Sequence, residues 1–158
     1  MGLESAVALK NGYALGTALA IGIAESLGDD GISHNNSQSA LFQQSVKEMF
    51  NLLKIVGGGT ENIMFAAGDL NVTVAAGRSR TVGVLLGKGY TIEEATEALK
   101  GETLEAVVIA TRTAKAVKAM AERGKLDIND FPLLMHVFAL LNEGAKLDIP
   151  WKSFQREM

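Results

Sequence analysis

At 158 residues and a net charge of −3, the chain suits one domain with a real core and carries neither a basic footprint for nucleic acid nor a polybasic membrane patch. Hydrophobic residues make up 47% and charged residues 21%, a globular rather than a disordered composition. There is no cysteine, which excludes disulfides and thiolate metal sites and fits a reducing, cytoplasmic setting. His34 and His136 lie too far apart in sequence for the close pairing of a common zinc site.

The first predicted element is a helix from Glu4 to Leu27, stopped by Gly28. Its uncharged run, bounded by Lys10 and Glu25, is too short to span a bilayer, which needs about 20 residues. Glu4 precedes it and Gly-Asp-Asp follows, against the order of a signal peptide. A helix apolar nearly all round belongs at the centre of a bundle. Asn35, Asn36 or Ser37 can cap a second helix, in which Phe42, Val46, Met49, Leu53 and Val56 recur at helical spacing. "GGG" at 57–59 ends it, and Thr60 can cap a short helix through Ala67.

The stretch "AAGDLNVTVAAGRSR", 66–80, reads as a glycine-flanked loop, followed by a helix from Arg78 to Gly87 or Gly89. "TIEE" at 91–94 is a capping box. Thr103 can cap a long helix through Arg123, overriding the strand propensity of "VVIAT" at 107–111. Asn129 or Asp130 starts another helix, with Pro132 in its first turn and Gly144 past its end, and Pro150 opens a short C-terminal segment. No strand alternation or internal repeat survives, so the expected class is all-α, in a single domain. "VGGGT" lacks the lysine of a P-loop and there is no G-x-G-x-x-G, so these glycines read as helix stops and no dinucleotide-binding half is visible.

Lys10 lies among Ala6, Val7, Leu9, Tyr13 and Ala14, where an ammonium needs a partner unless it snorkels to the surface. Asn11 beside it can position a hydroxyl. Asp69 is either a cap or turn residue or the counter-charge to Lys10, and such a pair can move a proton at a substrate oxygen. Thr73 can supply a hydroxyl. Arg78 is either a solvated side chain or, at a helix start, a phosphate fork; Arg80 points elsewhere and is the weaker candidate. Phe42, Met49, Phe50, Met64, Phe65, Met135 and Phe138 read as packing, Trp151 and Phe154 as pins for the C-terminal segment, and His136 as a satisfied core or groove histidine. Lys88, Lys100 and the lysines of "KAVKAMAERGK" read as solvated faces.

"ALKN" at 8–11, "AAGDLNVT" at 66–73, "GRSR" at 77–80, "TAKAV" at 113–117 and "DFPLLMHVFALLNEG" at 130–144 come in the order of one family. The chain resembles, from about Glu4 to Gly144, the C-terminal substrate-binding domain of NAD(P)-dependent glycerol-3-phosphate dehydrogenases. The resemblance implies an all-helical domain like that of the 6-phosphogluconate dehydrogenase superfamily. It implies Lys10 as catalytic acid/base with Asp69 accompanying it, and Asn11 and Thr73 near the substrate. It implies Arg78 on the substrate phosphate, with Ser79 where the family has asparagine.

The implied function is the substrate half of an enzyme that interconverts glycerol 3-phosphate and dihydroxyacetone phosphate. NAD or NADP would be bound mainly by a Rossmann domain that is absent from this chain and joined in cis or trans. An apolar face left bare would favour self-association, including a homodimer. The alternative is a non-catalytic helical module for dimerisation or ligand sensing; a different 2-hydroxyacid or sugar-acid substrate on the same fold is the third reading.

Overall fold

The structure, a computed structural model, describes residues 2–28, 35–57, 59–100 and 104–155, with side chains from Leu9 onward. Among these residues it contains seven α-helices and no strand: α1 (Gly2–Ser26), α2 (Asn35–Ile55), α3 (Ile63–Ala75), α4 (Arg78–Gly87), α5 (Ile92–Ala98), α6 (Glu105–Glu122) and α7 (Pro132–Asn142). Short 3-10 turns cover Thr60–Asn62, Ile128–Asp130 and Trp151–Gln155. The expected all-α class holds.

α1 is the axis of the bundle, packed against α2, α3, α4 and α6. Residues 12–20 are all buried, as its uniform apolarity requires. No helix among the described residues is long and apolar enough to cross a membrane.

Glycines bring α1 and α4 into backbone contact. A Cβ on Gly83 would overlap the Leu15 carbonyl, and one on Gly87 the Leu19 carbonyl; Gly22 faces the Val84 carbonyl in the same way. These glycines are packing surfaces rather than helix stops. The stop falls at Gly89, with φ +93°. Gly83→Ala gains about 1 kcal/mol of helix propensity. It must also push two helix backbones apart, and overpacking costs up to about 3 kcal/mol. A net loss of about 2 kcal/mol is expected from urea denaturation. Gly68→Ala, where a Cβ meets nothing within 4 Å, is expected to gain about 1 kcal/mol instead.

The stretch 66–80 is not a loop. Helix α3 continues through Ala75, and only Ala76 and Gly77 separate it from α4. Ala66, Leu70 and Val74 are buried at four-residue spacing, so burial of one face carries Gly68 and Asp69 into the helix against their low propensity. Thr60 opens a 3-10 turn instead of capping a helix. The capping box at Thr91–Glu94 is formed in both directions. Pro132 is the first residue of α7, and the Asp127 side chain accepts from the Asn129 amide in the preceding turn. The expected cap at Thr103 lies outside the described residues, and α2 already begins at Asn35.

Other packing expectations change. Met49 and Phe138 are in the core, but Met64 and Phe65 are 76% and 70% exposed and form an apolar face with Val72 on α3. Phe154 packs on the core, while Trp151 is exposed and meets the Phe154 ring edge-on. His136 is not satisfied: its buried Nε2 has no hydrogen-bond partner, and burial lowers its pKa against the raising effect of Asp148. Lys118 is not simply solvated, since its ammonium sits 4.0 Å from the centroid of the Phe138 ring and pairs with Glu143.

One buried charge escaped the sequence reading. Glu48 on α2 is fully buried and accepts from the backbone amides of Leu133 and Leu134, at 2.8 and 3.0 Å, and from Gln44 Nε2. It thereby caps the first turn of α7 from another helix. Burial raises its pKa to about 7, against the lowering effect of Gln44 and the two amides. The Tyr13 hydroxyl is buried beside it. Burial first, and the Glu48 charge second, hold that phenol well above its ordinary value.

Candidate anion-binding and proton-transfer site

Lys10 and Asp69 meet. Lys10 Nζ donates to Asp69 Oδ2 at 2.5 Å, joining α1 to α3, with side-chain exposures of 18% and 38%. The lysine therefore neither snorkels free nor stays unpaired. Thr73, one turn beyond Asp69, donates its hydroxyl to the Asp69 carbonyl at 2.8 Å and leaves its oxygen lone pairs for another donor.

A cleft of about 300 Å³ lies next to Asn11, the residue after Lys10, and Thr73, one turn from Asp69, but neither Lys10 nor Asp69 is in its lining. Asn11, Thr73, Arg78 and Ser79 all line it. Arg80 does not. The short α3–α4 junction sets the geometry. Gly77 has φ +114°, a conformation that side chains other than glycine rarely adopt, and it turns the chain so that Arg78 opens α4 at the cleft. No side chain among the described residues caps α4. Its first amides are available to a ligand.

Sequence reasoning missed the opposite wall. Leu104, Glu105 and Ala106, the start of α6, line the same cleft, and no side chain among the described residues caps α6. Two helix N-termini that no described side chain caps therefore meet here, and each is equivalent to about half a positive charge. Ser79 is only 8% exposed, and its hydroxyl has no partner among the described residues although it lines the cleft. That hydroxyl is not among the buried unpartnered atoms, so it is open to water or a ligand in the cleft. Neither Arg78 nor Glu105 forms an ion pair among the described residues. The larger apolar groove lined by Val46, Phe50, Ile63 and Phe154 contains none of these groups.

A bundle around a nearly apolar helix, with a lysine–aspartate pair joining α1 to α3 and a polar cleft at the α3–α4 junction, defines a helical domain with a candidate ligand site. Residues 1–151 match the family described as NAD-dependent glycerol-3-phosphate dehydrogenase C-terminus, and the chain belongs to that family. The chain is 32% identical over 150 residues to an NADP(+)-dependent glycerol-3-phosphate dehydrogenase of Archaeoglobus fulgidus, covering 94% of this chain and 43% of the relative. It is 34% identical over 153 residues to a glycerol-3-phosphate dehydrogenase [NAD(P)+] of Pseudomonas putida, covering 93% and 40%. The crystal structure of glycerol-3-phosphate dehydrogenase from Coxiella burnetii superposes with a TM-score of 0.72 at 28% identity, over 98% of this chain and 43% of that one. The chain thus spans about two-fifths of the length of the relatives it matches.

Proposed function

We propose that this chain is the substrate-binding and acid–base half of a glycerol-3-phosphate dehydrogenase, completed by a nucleotide-binding Rossmann domain in cis or in trans. The observation that carries this reading is the single cleft lined by Asn11, Thr73, Arg78 and Ser79, with Lys10 next in sequence to Asn11 and paired with Asp69, one turn from Thr73. A three-carbon phosphate ester needs an anion grip at one end and a proton donor at the other. Arg78 and the α4 amides take the phosphate. Asn11 and Thr73 hold hydroxyl groups between the two ends. Lys10, kept in place by Asp69, gives a proton to the C2 oxygen during reduction of dihydroxyacetone phosphate and takes it back in the reverse direction.

NAD or NADP, when bound, supplies or accepts the hydride. The surface over Gly68, next to Asp69, leaves room for such a group, since a Cβ there would meet nothing within 4 Å. The exposed face of Met64, Phe65 and Val72 adjoins it on the same helix and is where a second domain would bury apolar area. Left uncovered, that face favours self-association.

The test is calorimetric titration of glycerol 3-phosphate into the chain and into Arg78→Ala. Loss of a charged, forked contact is expected to weaken binding about 10- to 100-fold. Equal binding by both proteins would remove the phosphate from Arg78 and leave the non-catalytic module as the better reading.

A further inference from the structure

The cleft contains one group that a phosphate site does not call for. Glu105, the first residue of α6, shares the lining with Arg78, and the two are not paired with each other. Their charges oppose, which leaves the two helix ends as the net positive source among the described residues. With each end equivalent to about half a charge, the lining balances one negative charge rather than two. Lys10 on α1, next in sequence to the lining residue Asn11, and Asp69 on α3, one turn from the lining residue Thr73, pair with each other. Arg80 on α4 lies outside the lining.

We propose that Glu105 is a specificity-determining residue, which makes the cleft prefer a phosphate ester in its singly protonated form. The remaining P–OH donates to the Glu105 carboxylate while the other oxygens accept from Arg78, Ser79 and the α4 amides. A dianionic ester has no proton to offer and meets Glu105 as a like charge. The proposal rests on the phosphate reading of the cleft and adds the charge state it selects. Glu105 at the start of α6 also complements that helix's dipole, an effect on stability that a binding measurement separates out.

The experiment titrates glycerol 3-phosphate into the wild-type chain, Glu105→Gln and Arg78→Ala, at about pH 5 and about pH 8, on either side of the ester's second ionisation near about 6. Sulfate, which offers no proton at either pH, is the second probe. Wild type is expected to bind the ester about 3- to 10-fold more tightly at the lower pH and sulfate weakly throughout. Glu105→Gln is expected to reverse the pH preference and to gain sulfate affinity. Glu48 titrates in the same range but is common to wild type and variant, so their difference isolates Glu105. Parallel pH profiles for wild type and Glu105→Gln, with Arg78 still required, overturn this proposal and leave the phosphate site intact. No binding by wild type at either pH overturns both.

Discussion

Lys10→Met, assayed with a nucleotide-binding domain supplied in cis or in trans, is expected to lower kcat by about 10²- to 10⁴-fold, the usual contribution of a positioned acid–base group. Methionine keeps the length and packing of the stem and deletes only the ammonium. Among the described residues that ammonium is the one paired with Asp69. It lies 2.5 Å from Asp69, whereas Arg78 lines the cleft. The two ends should therefore separate kinetically. Lys10→Met loses kcat with little change in phosphate-ester affinity, and Arg78→Ala loses affinity first. A Lys10→Met enzyme with wild-type turnover would assign the proton to another group and reduce the ion pair to a strut between α1 and α3.

The second large effect concerns stability. Glu48→Ala removes the acceptor for the Leu133 and Leu134 amides and for Gln44 in a site closed to solvent. Stranded donors cost about 1–3 kcal/mol each, and the vacated volume adds to that. A total loss of about 3–5 kcal/mol is expected, a large share of a typical domain's stability.

The pH dependence follows from the raised pKa. Unfolded, Glu48 titrates near 4.5; folded, burial moves it to about 7. Between these values the folded chain holds a proton that the unfolded chain has released. The group's contribution to stability is greatest below about 4.5 and declines as pH rises through about 7. Urea midpoints at about pH 5 and about pH 8 should show this decline in the wild type and its loss in Glu48→Gln. The glutamine variant retains one acceptor and should be less damaged than Glu48→Ala, which keeps the comparison possible if the alanine variant fails to fold.

Local signals were legible where they needed only local chemistry. The all-round apolarity of α1 placed it at the centre, the Thr91–Glu94 box is formed as its spacing requires, and Pro132 opens α7. Of the two readings of Asp69, cap or turn residue and counter-charge to Lys10, the structure forms the pair. The path between them was misread. Gly68 and Asp69 weigh against a helix locally, while the burial of Ala66, Leu70 and Val74 decides for one. That helix is what sets Thr73 one turn from Asp69.

Glu48 was invisible for a different reason. With Gln43, Gln44 and Lys47 around it, it looks like part of a solvated face, and only α7, some 85 residues away in sequence, explains its burial. Glu105 was missed likewise, because the cleft joins the starts of two helices that no short motif connects. Met64 and Phe65 show the opposite limit: spacing identifies an apolar face but not what covers it.

The most direct measurement is amide chemical-shift mapping of glycerol 3-phosphate on the isotope-labelled chain. A phosphate ester seated between the N-terminal ends of α4 and α6 should move the amides of Arg78, Ser79, Glu105 and Ala106 most, with a smaller effect at Asn11. Shifts centred instead on the groove of Val46, Phe50 and Phe154, or scattered over surface lysines, would contradict the account.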